Sequence, residues 1–286
     1  MSAADQAVPD EVRALIRTAL DEDLRYGPDI TSVATVPADA VADAVIASRA
    51  DGVVAGIPAA LAVFDEVIGK GGYEVTEQLA DGDRVAPGDT VLALRAPTRE
   101  LLTAERTALN LLCHLSGIAT ATAHWVAAVE GTGAKIRDSR KTLPGMRFLQ
   151  KAAVRAGGGV NHRMGLGDEA LIKDNHVVAA GSVSAALRAV REVAPDIPVE
   201  VEVDSLEQLD EVLALKPTLV LLDNFELWAT QMAVSRRDAQ SPETKLESSG
   251  GLTLDVAADY ANTGVDYLAV GALTHSVTVL DLGLDM

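Results

Sequence analysis

Aromatic side chains make up only 3% of the 286 residues. The core must therefore be built from Ala, Val and Leu, within an apolar content of 48% that is ample for one. Cysteine occurs once, as Cys113 in Leu111-Leu112-Cys113, which excludes an intrachain disulfide and reads as a small buried hydrophobe. Basic residues are outnumbered, 24 against 42, for a formal charge of -18. That balance argues against the broad basic face that nucleic acid requires. The amino terminus is acidic and lacks the apolar stretch of an export signal. No apolar run approaches a bilayer span, and there is neither a low-complexity tract nor an internal repeat. The expectation is a soluble cytoplasmic protein of one large domain or two.

What is present is a basic island. Lys135 to Asn175 holds nine Lys/Arg and four acids, so this window is +5 while the rest of the chain is -23. Such an island in an acidic protein focuses a field on an anionic small molecule. Part of it is ordinary: Arg147, Lys151 and Arg155 lie four apart among Met146, Phe148 and Val154, the spacing of a solvated helix face. Arg140-Lys141, His162-Arg163 and Lys173 differ, because each follows or ends a short apolar or Gly-rich run. Charges mounted where strands meet loops are where binding sites sit.

Val12, Leu15, Ile16 and Leu20 predict an opening helix with Asp10 as its N-cap, broken by Gly27-Pro28. Residues 42–94 read as short strands and turns with a helix over 59–68, a small sheet domain with no catalytic constellation. Residues 98–129 read as helix, with a break near Ser116-Gly117, and apolar side chains fall all around its wheel. A helix apolar on every side is buried in the fold or at a subunit interface, so Arg106 on it must find an anion or an acid such as Glu105. Beyond it, short apolar stretches at 134–136, 171–172, 199–203, 219–222, 245–246 and 267–270 alternate with helical ones. This α/β rhythm implies a parallel sheet whose strand ends carry the functional face.

In Val199-Glu200-Val201-Glu202-Val203-Asp204, strict alternation puts three acids on one face. Asp223 ends another apolar strand. Ser249-Gly250-Gly251 and Val270-Gly271-Ala272 follow strands, where glycine lets backbone N–H groups approach a phosphate, and a helix start is expected at Leu252. Gly157-Gly158-Gly159 lacks the rest of a dinucleotide fingerprint.

The runs DSRKTLPGMR, GGGVNHRMGL and LIKDNH, followed by VEVDSLEQL, LLDNF, ESSGGL and VGALTHS, resemble the quinolinate phosphoribosyltransferase family over Asp29 to Met286. The resemblance implies an α+β amino-terminal domain over 1–117, joined by the tail 273–286, and an irregular, incomplete α/β barrel over 118–272. It implies phosphoribosyl transfer from phosphoribosyl pyrophosphate to quinolinate with decarboxylation, giving nicotinate mononucleotide, pyrophosphate and CO₂. Arg106, Ser139, Arg140, Lys141, Arg163 and Lys173 would bind substrate, with His162 lining the pocket. Glu202 and Asp223 would hold the ribose and Mg²⁺, with Glu200 and Asp204 behind them. Ser249, Gly250, Gly251, Val270, Gly271, Ala272 and His275 would meet phosphate. A homodimer sharing its active sites, or a higher oligomer, is implied as well. The proton donor after decarboxylation is left between Lys141 and Lys173. Two other readings stand beside this one: an aldolase with Lys173 as Schiff-base lysine, and a non-catalytic anion-binding protein, which the acids Glu202 and Asp223 disfavour.

Overall fold

The computed structural model describes residues 8–286. The acidic start of the chain, on which the reading of no export signal rests, extends into residues 1–7, outside the described residues. Two compact units form. One holds the chain up to 123 together with 142–158 and 273–286; the other holds 124–141 and 159–272.

In the first unit, α1 (Asp10–Leu24) buries Val12, Ile16 and Leu20 along one stripe. Its N-cap is Pro9 rather than Asp10, which falls in the first turn with Glu11, at the positive end of the helix dipole. The Asp29 carboxylate caps α2 (Ile30–Thr35) by accepting from the Ser32 amide at 3.1 Å. There follow β1 (Val41–Ser48), β2 (Gly52–Val53), α3 (Ile57–Ile68), β3 (Glu74–Gln78), β4 (Arg84–Val85) and β5 (Thr90–Pro97). Strands β1, β5 and β3 form an antiparallel sheet, and β2 pairs with β4.

Helix α4 (Thr98–Ala128) runs through Ser116-Gly117 without the expected break. Gly117 is there for proximity: a Cβ would lie 2.3 Å from the Thr278 carbonyl oxygen. Contrary to the sequence reading, α4 is long and apolar enough to cross a membrane by length and composition. Its burial within the fold accounts for that character, with Leu101, Leu112, Leu115 and Ile118 fully enclosed. One stripe nevertheless faces out. Arg106 is on it, its side chain 67% exposed and 4.0 Å from Glu105, so the expected buried guanidinium is not found in this chain.

After β6 (Lys135–Arg137), the chain forms α5 (Arg147–Ala156) in the first unit, not in the barrel where the sequence reading placed it. The Gln150 amide reaches His114 at 2.8 Å, and Gly157 lies so close to α4 that a Cβ would meet the Ala119 oxygen at 2.3 Å. Lys151 is fully buried, which corrects its assignment to a solvated face.

The second unit continues with β7 (Ala170–Ile172), α6 (Asp174–Ala180), α7 (Val183–Val193), β8 (Val199–Val203), α8 (Leu206–Leu213), β9 (Leu219–Asp223) and α9 (Leu227–Gln240). Then come β10 (Lys245–Ser249), α10 (Ala257–Ala261), β11 (Tyr267–Ala269), α11 (Ala272–His275) and β12 (Leu282–Asp285), the last pairing with β1 in the first unit. Six parallel strands lie in the order β6-β11-β10-β9-β8-β7. Although β6 and β7 are at opposite edges, the Arg137 guanidinium on β6 touches Glu169, just before β7, at 3.3 Å. The sheet is therefore curled on itself and left open by side chains at one seam, an incomplete barrel. Alternation sends Val199, Val201 and Val203 into the apolar layer.

Candidate functional site

The site grows from what ends each parallel strand of the second unit. After β6, the Asp138 carboxylate is fully buried and accepts from the His162 amide at 2.8 Å and the Asn161 side-chain amide at 2.5 Å. It thereby ties the 161–163 loop to the end of β6. The chain then turns at Ser139, whose hydroxyl accepts from the Lys141 amide at 3.1 Å. The turn lays Lys141 across Gly271 at the end of β11: a Cβ on Gly271 would lie 3.0 Å from Lys141 Cδ and 3.5 Å from its Nζ.

Arg140 and Arg163 come together at this edge. The Arg163 pKa is lowered, first by burial and then by the charge of Arg140. The Arg163 guanidinium donates to the Glu169 carbonyl at 3.1 Å, and the Nε of each guanidinium is buried with no hydrogen-bond partner. Two planar cations that feel each other's charge and hold buried, unused donors suit a planar anion bearing more than one carboxylate.

His162 does not present a ring nitrogen as expected of a pocket-lining residue. Its Nδ1 accepts from the Arg163 amide at 2.7 Å, so the ring proton sits on Nε2, 2.8 Å from Glu200 Oε2. Beneath it, Glu200 and Glu247 are fully buried. Arg137 donates to Glu247 at 2.7 Å and stacks over the Tyr267 ring at 5.0 Å. Burial raises both carboxyl pKa values, to about 8 for Glu200 and about 7 for Glu247, with the neighbouring Arg137 charge opposing each shift. Glu200 is thus part of the barrel interior, whereas Asp204 is exposed beyond the strand. Arg137, Asp138, Glu169 and Glu247 escaped the sequence reading. The period-two pattern of Lys245-Leu246-Glu247 was the available signal for the last of these.

Lys173, at the end of β7, ion-pairs through Nζ with Glu202 on β8. Asp223 ends β9, two residues beyond the register partner of Glu202, Leu221. Ser249, Gly250 and Gly251 end β10, the two glycines at φ 91° and 61°. No helix starts at Leu252; a single helical turn begins at Leu254, so any anion contact at this turn comes from loop amides. Val270, Gly271 and Ala272 link β11 to α11. His275 clusters with the first unit, bonded to the Ser276 hydroxyl at 2.6 Å, and Arg106 belongs there as well.

Two carboxylates stand at the strand ends, Glu202 paired with Lys173 and Asp223 with one oxygen bonded to Asn224. Glu202 and Asp223 are few, hard donors on neighbouring strands, which fits Mg²⁺, an ion that takes one or two carboxylates and keeps waters or substrate oxygens. Among the described residues His162, Glu200 and Glu247 place ligand atoms within 4.8 Å of one another. Its full burial, its imidazole and the Arg137 guanidinium upon it do not suit an ion that keeps its water.

Family models described as the N-terminal and C-terminal domains of quinolinate phosphoribosyl transferase match residues 29–116 and 118–285. A protein of Mycobacterium leprae named nicotinate-nucleotide pyrophosphorylase (carboxylating) is 64% identical over 277 residues, covering 97% of this chain and 98% of its own. A human protein of the same name is 36% identical, covering 97% and 92%. The solved structure of nicotinate-nucleotide pyrophosphorylase from Francisella tularensis superposes with a TM-score of 0.91 at 36% identity, covering 97% of each chain. Human nicotinic acid phosphoribosyltransferase, at 13% identity and a TM-score of 0.63, shares the fold alone.

Proposed function

Because the chain belongs to the quinolinate phosphoribosyltransferase family, we propose that it joins quinolinate to phosphoribosyl pyrophosphate, releasing pyrophosphate and CO₂ and leaving nicotinate mononucleotide. The observation that carries the site reading is the pair Arg140 and Arg163, whose charges repel and whose Nε donors are buried and unpartnered. Quinolinate is a flat ring with two adjacent carboxylates, and two guanidinium forks are the matching receptor.

Lys141, lying over Gly271, and the amides of Gly250 and Gly251 are suited to phosphate oxygens, since glycine admits close backbone approach. Glu202 and Asp223 face the anomeric carbon and the ribose hydroxyls. Their negative charge offsets the positive charge that develops as pyrophosphate departs and the ring nitrogen attacks. When bound through these two carboxylates, Mg²⁺ would neutralise the oxygens of the departing pyrophosphate. The new C–N bond leaves a cationic ring nitrogen, whose charge stabilises the carbanion left on the adjacent ring carbon as its carboxylate departs as CO₂. A proton then reaches that carbon, with Lys141 and Lys173 the candidate donors. Positioning and electrostatics supply most of the catalysis.

The proposal includes a soluble cytoplasmic enzyme acting as a homodimer, each site completed by Arg106 of the other chain. The exposure of Arg106 is compatible with that role. The Schiff-base alternative is disfavoured, since Lys173 is 45% exposed and paired with Glu202, whereas such a lysine needs a desolvated pocket. Incubation with quinolinate, phosphoribosyl pyrophosphate and Mg²⁺ should release CO₂ and nicotinate mononucleotide in equal amounts. Product without CO₂, or formed equally well from nicotinate, would overturn the assignment.

A further inference from the structure

Asn224 directly follows Asp223 and takes φ 56°, one of two non-glycine residues with positive φ among those described. Glycine is the unstrained choice for such a backbone, and Asn tolerates it. In this conformation the Asn224 side chain is spent on its neighbours. Nδ2 donates to Asp223 Oδ2 at 2.9 Å, and the backbone amide donates to the Ser249 carbonyl at 2.8 Å. The amide oxygen lies against Gly250, where a Cβ would stand 2.2 Å from Oδ1 and 2.6 Å from Cγ. One residue thus touches both the acid at the end of β9 and the glycine turn at the end of β10.

We propose that Asn224 is a positioning residue that holds the Asp223 carboxylate and the Ser249–Gly251 turn in register with each other. This rests on the reading of those two elements as the ribose- and phosphate-facing parts of the site. A carboxylate with one oxygen anchored cannot rotate freely, so its other oxygen keeps a fixed direction. The same amide packs on Gly250, so the direction of Asp223 and the path of the phosphate-facing backbone are set together. Glycine at 224 would relieve the backbone but lose both contacts. Gly250, itself at φ 91°, is required twice, by its backbone and by the amide against it.

The test uses Asn224→Gly, Asn224→Asp and Asp223→Asn. It measures the denaturation midpoint, the affinity for phosphoribosyl pyrophosphate with Mn²⁺ by calorimetry and by the Mn²⁺ resonance signal, and the kinetics. A residue that only shapes a turn leaves Asn224→Gly with parental binding and turnover. The positioning role predicts a midpoint at or above that of the parent. It also predicts a loss of affinity and of kcat of about 10–100-fold, the range seen when groups that orient metal-facing ligands are removed, with the quinolinate KM little changed. Asn224→Asp, which sets a second carboxylate beside Asp223, should bind more weakly still. Parental affinity in Asn224→Gly overturns the proposal. If Asp223→Asn also binds like the parent, the reading of Asp223 fails with it; if Asp223→Asn abolishes binding, only the role of Asn224 fails.

Discussion

Arg140 stands close enough to Arg163 that its charge, after burial, is the main influence lowering the Arg163 pKa. Like charges held together in this way are poised for a multiply charged anion, and their mutual repulsion is offset when substrate binds. Arg140→Ala should therefore raise the quinolinate KM and lower kcat, with a combined effect on the order of 100-fold, as expected when a charged substrate loses a bidentate partner. Arg163→Lys should not restore function, since an ammonium cannot reproduce the fork. Steady-state kinetics with both substrates varied would remove either residue from the site if they match the parent.

Glu247 offers a pH-dependent test. Its folded pKa is raised by burial to about 7, above the ordinary value of 4.5 for a glutamate. The folded state therefore binds the proton more tightly than the unfolded state. That contribution to stability is complete below the unfolded value and is lost as pH rises through about 7. Urea midpoints for the parent should fall between pH 5 and 8 by more than those of Glu247→Gln, which cannot ionise. Parallel profiles for the two proteins would show that Glu247 does not carry this proton.

Asp223→Asn keeps shape and removes charge. Folding should survive, because Asp223 lies at a strand end and not in the apolar core. Turnover should fall severely, because the developing positive charge at the anomeric carbon loses its counter-ion. Circular dichroism and single-turnover rates separate the two effects, and parental turnover would remove Asp223 from its assigned role.

The α/β rhythm was legible because each strand of the second unit is a short apolar run ending in polar residues, and alternation in Val199–Val203 told the inner face from the outer. Arg140, Lys141, Arg163, Lys173, Glu202 and Asp223 stood out because they end such runs. What could not be read depends on tertiary placement. The spacing of Lys151 is that of a surface helix, yet α5 packs into the first unit and encloses it. His162 has a pocket-lining position in the sequence, but its ring nitrogens turn to Arg163 and Glu200. Asn224 carries no periodic signal, since its backbone angle and the nearness of Gly250 exist only in the folded chain.

Arg106 gives the most demanding test. It lies in the first unit, exposed, with only a 4.0 Å approach to Glu105, while Lys173 lies in the second unit beside Glu202. If Arg106 completes the site of a partner chain, Arg106→Ala and Lys173→Ala homodimers should each be nearly inactive. Mixing them under conditions of subunit exchange should restore activity, because in a heterodimer one site inherits both lesions and the other neither. Random reassortment makes about half the dimers mixed, so about a quarter of all sites should be intact in an isologous two-fold dimer. Native mass spectrometry verifies exchange independently of activity. Exchange without recovery would place Arg106 in its own chain's function or outside function altogether. Recovery to about a quarter would establish both the dimer and the sharing of its sites, since neither lesion can be repaired within a single chain.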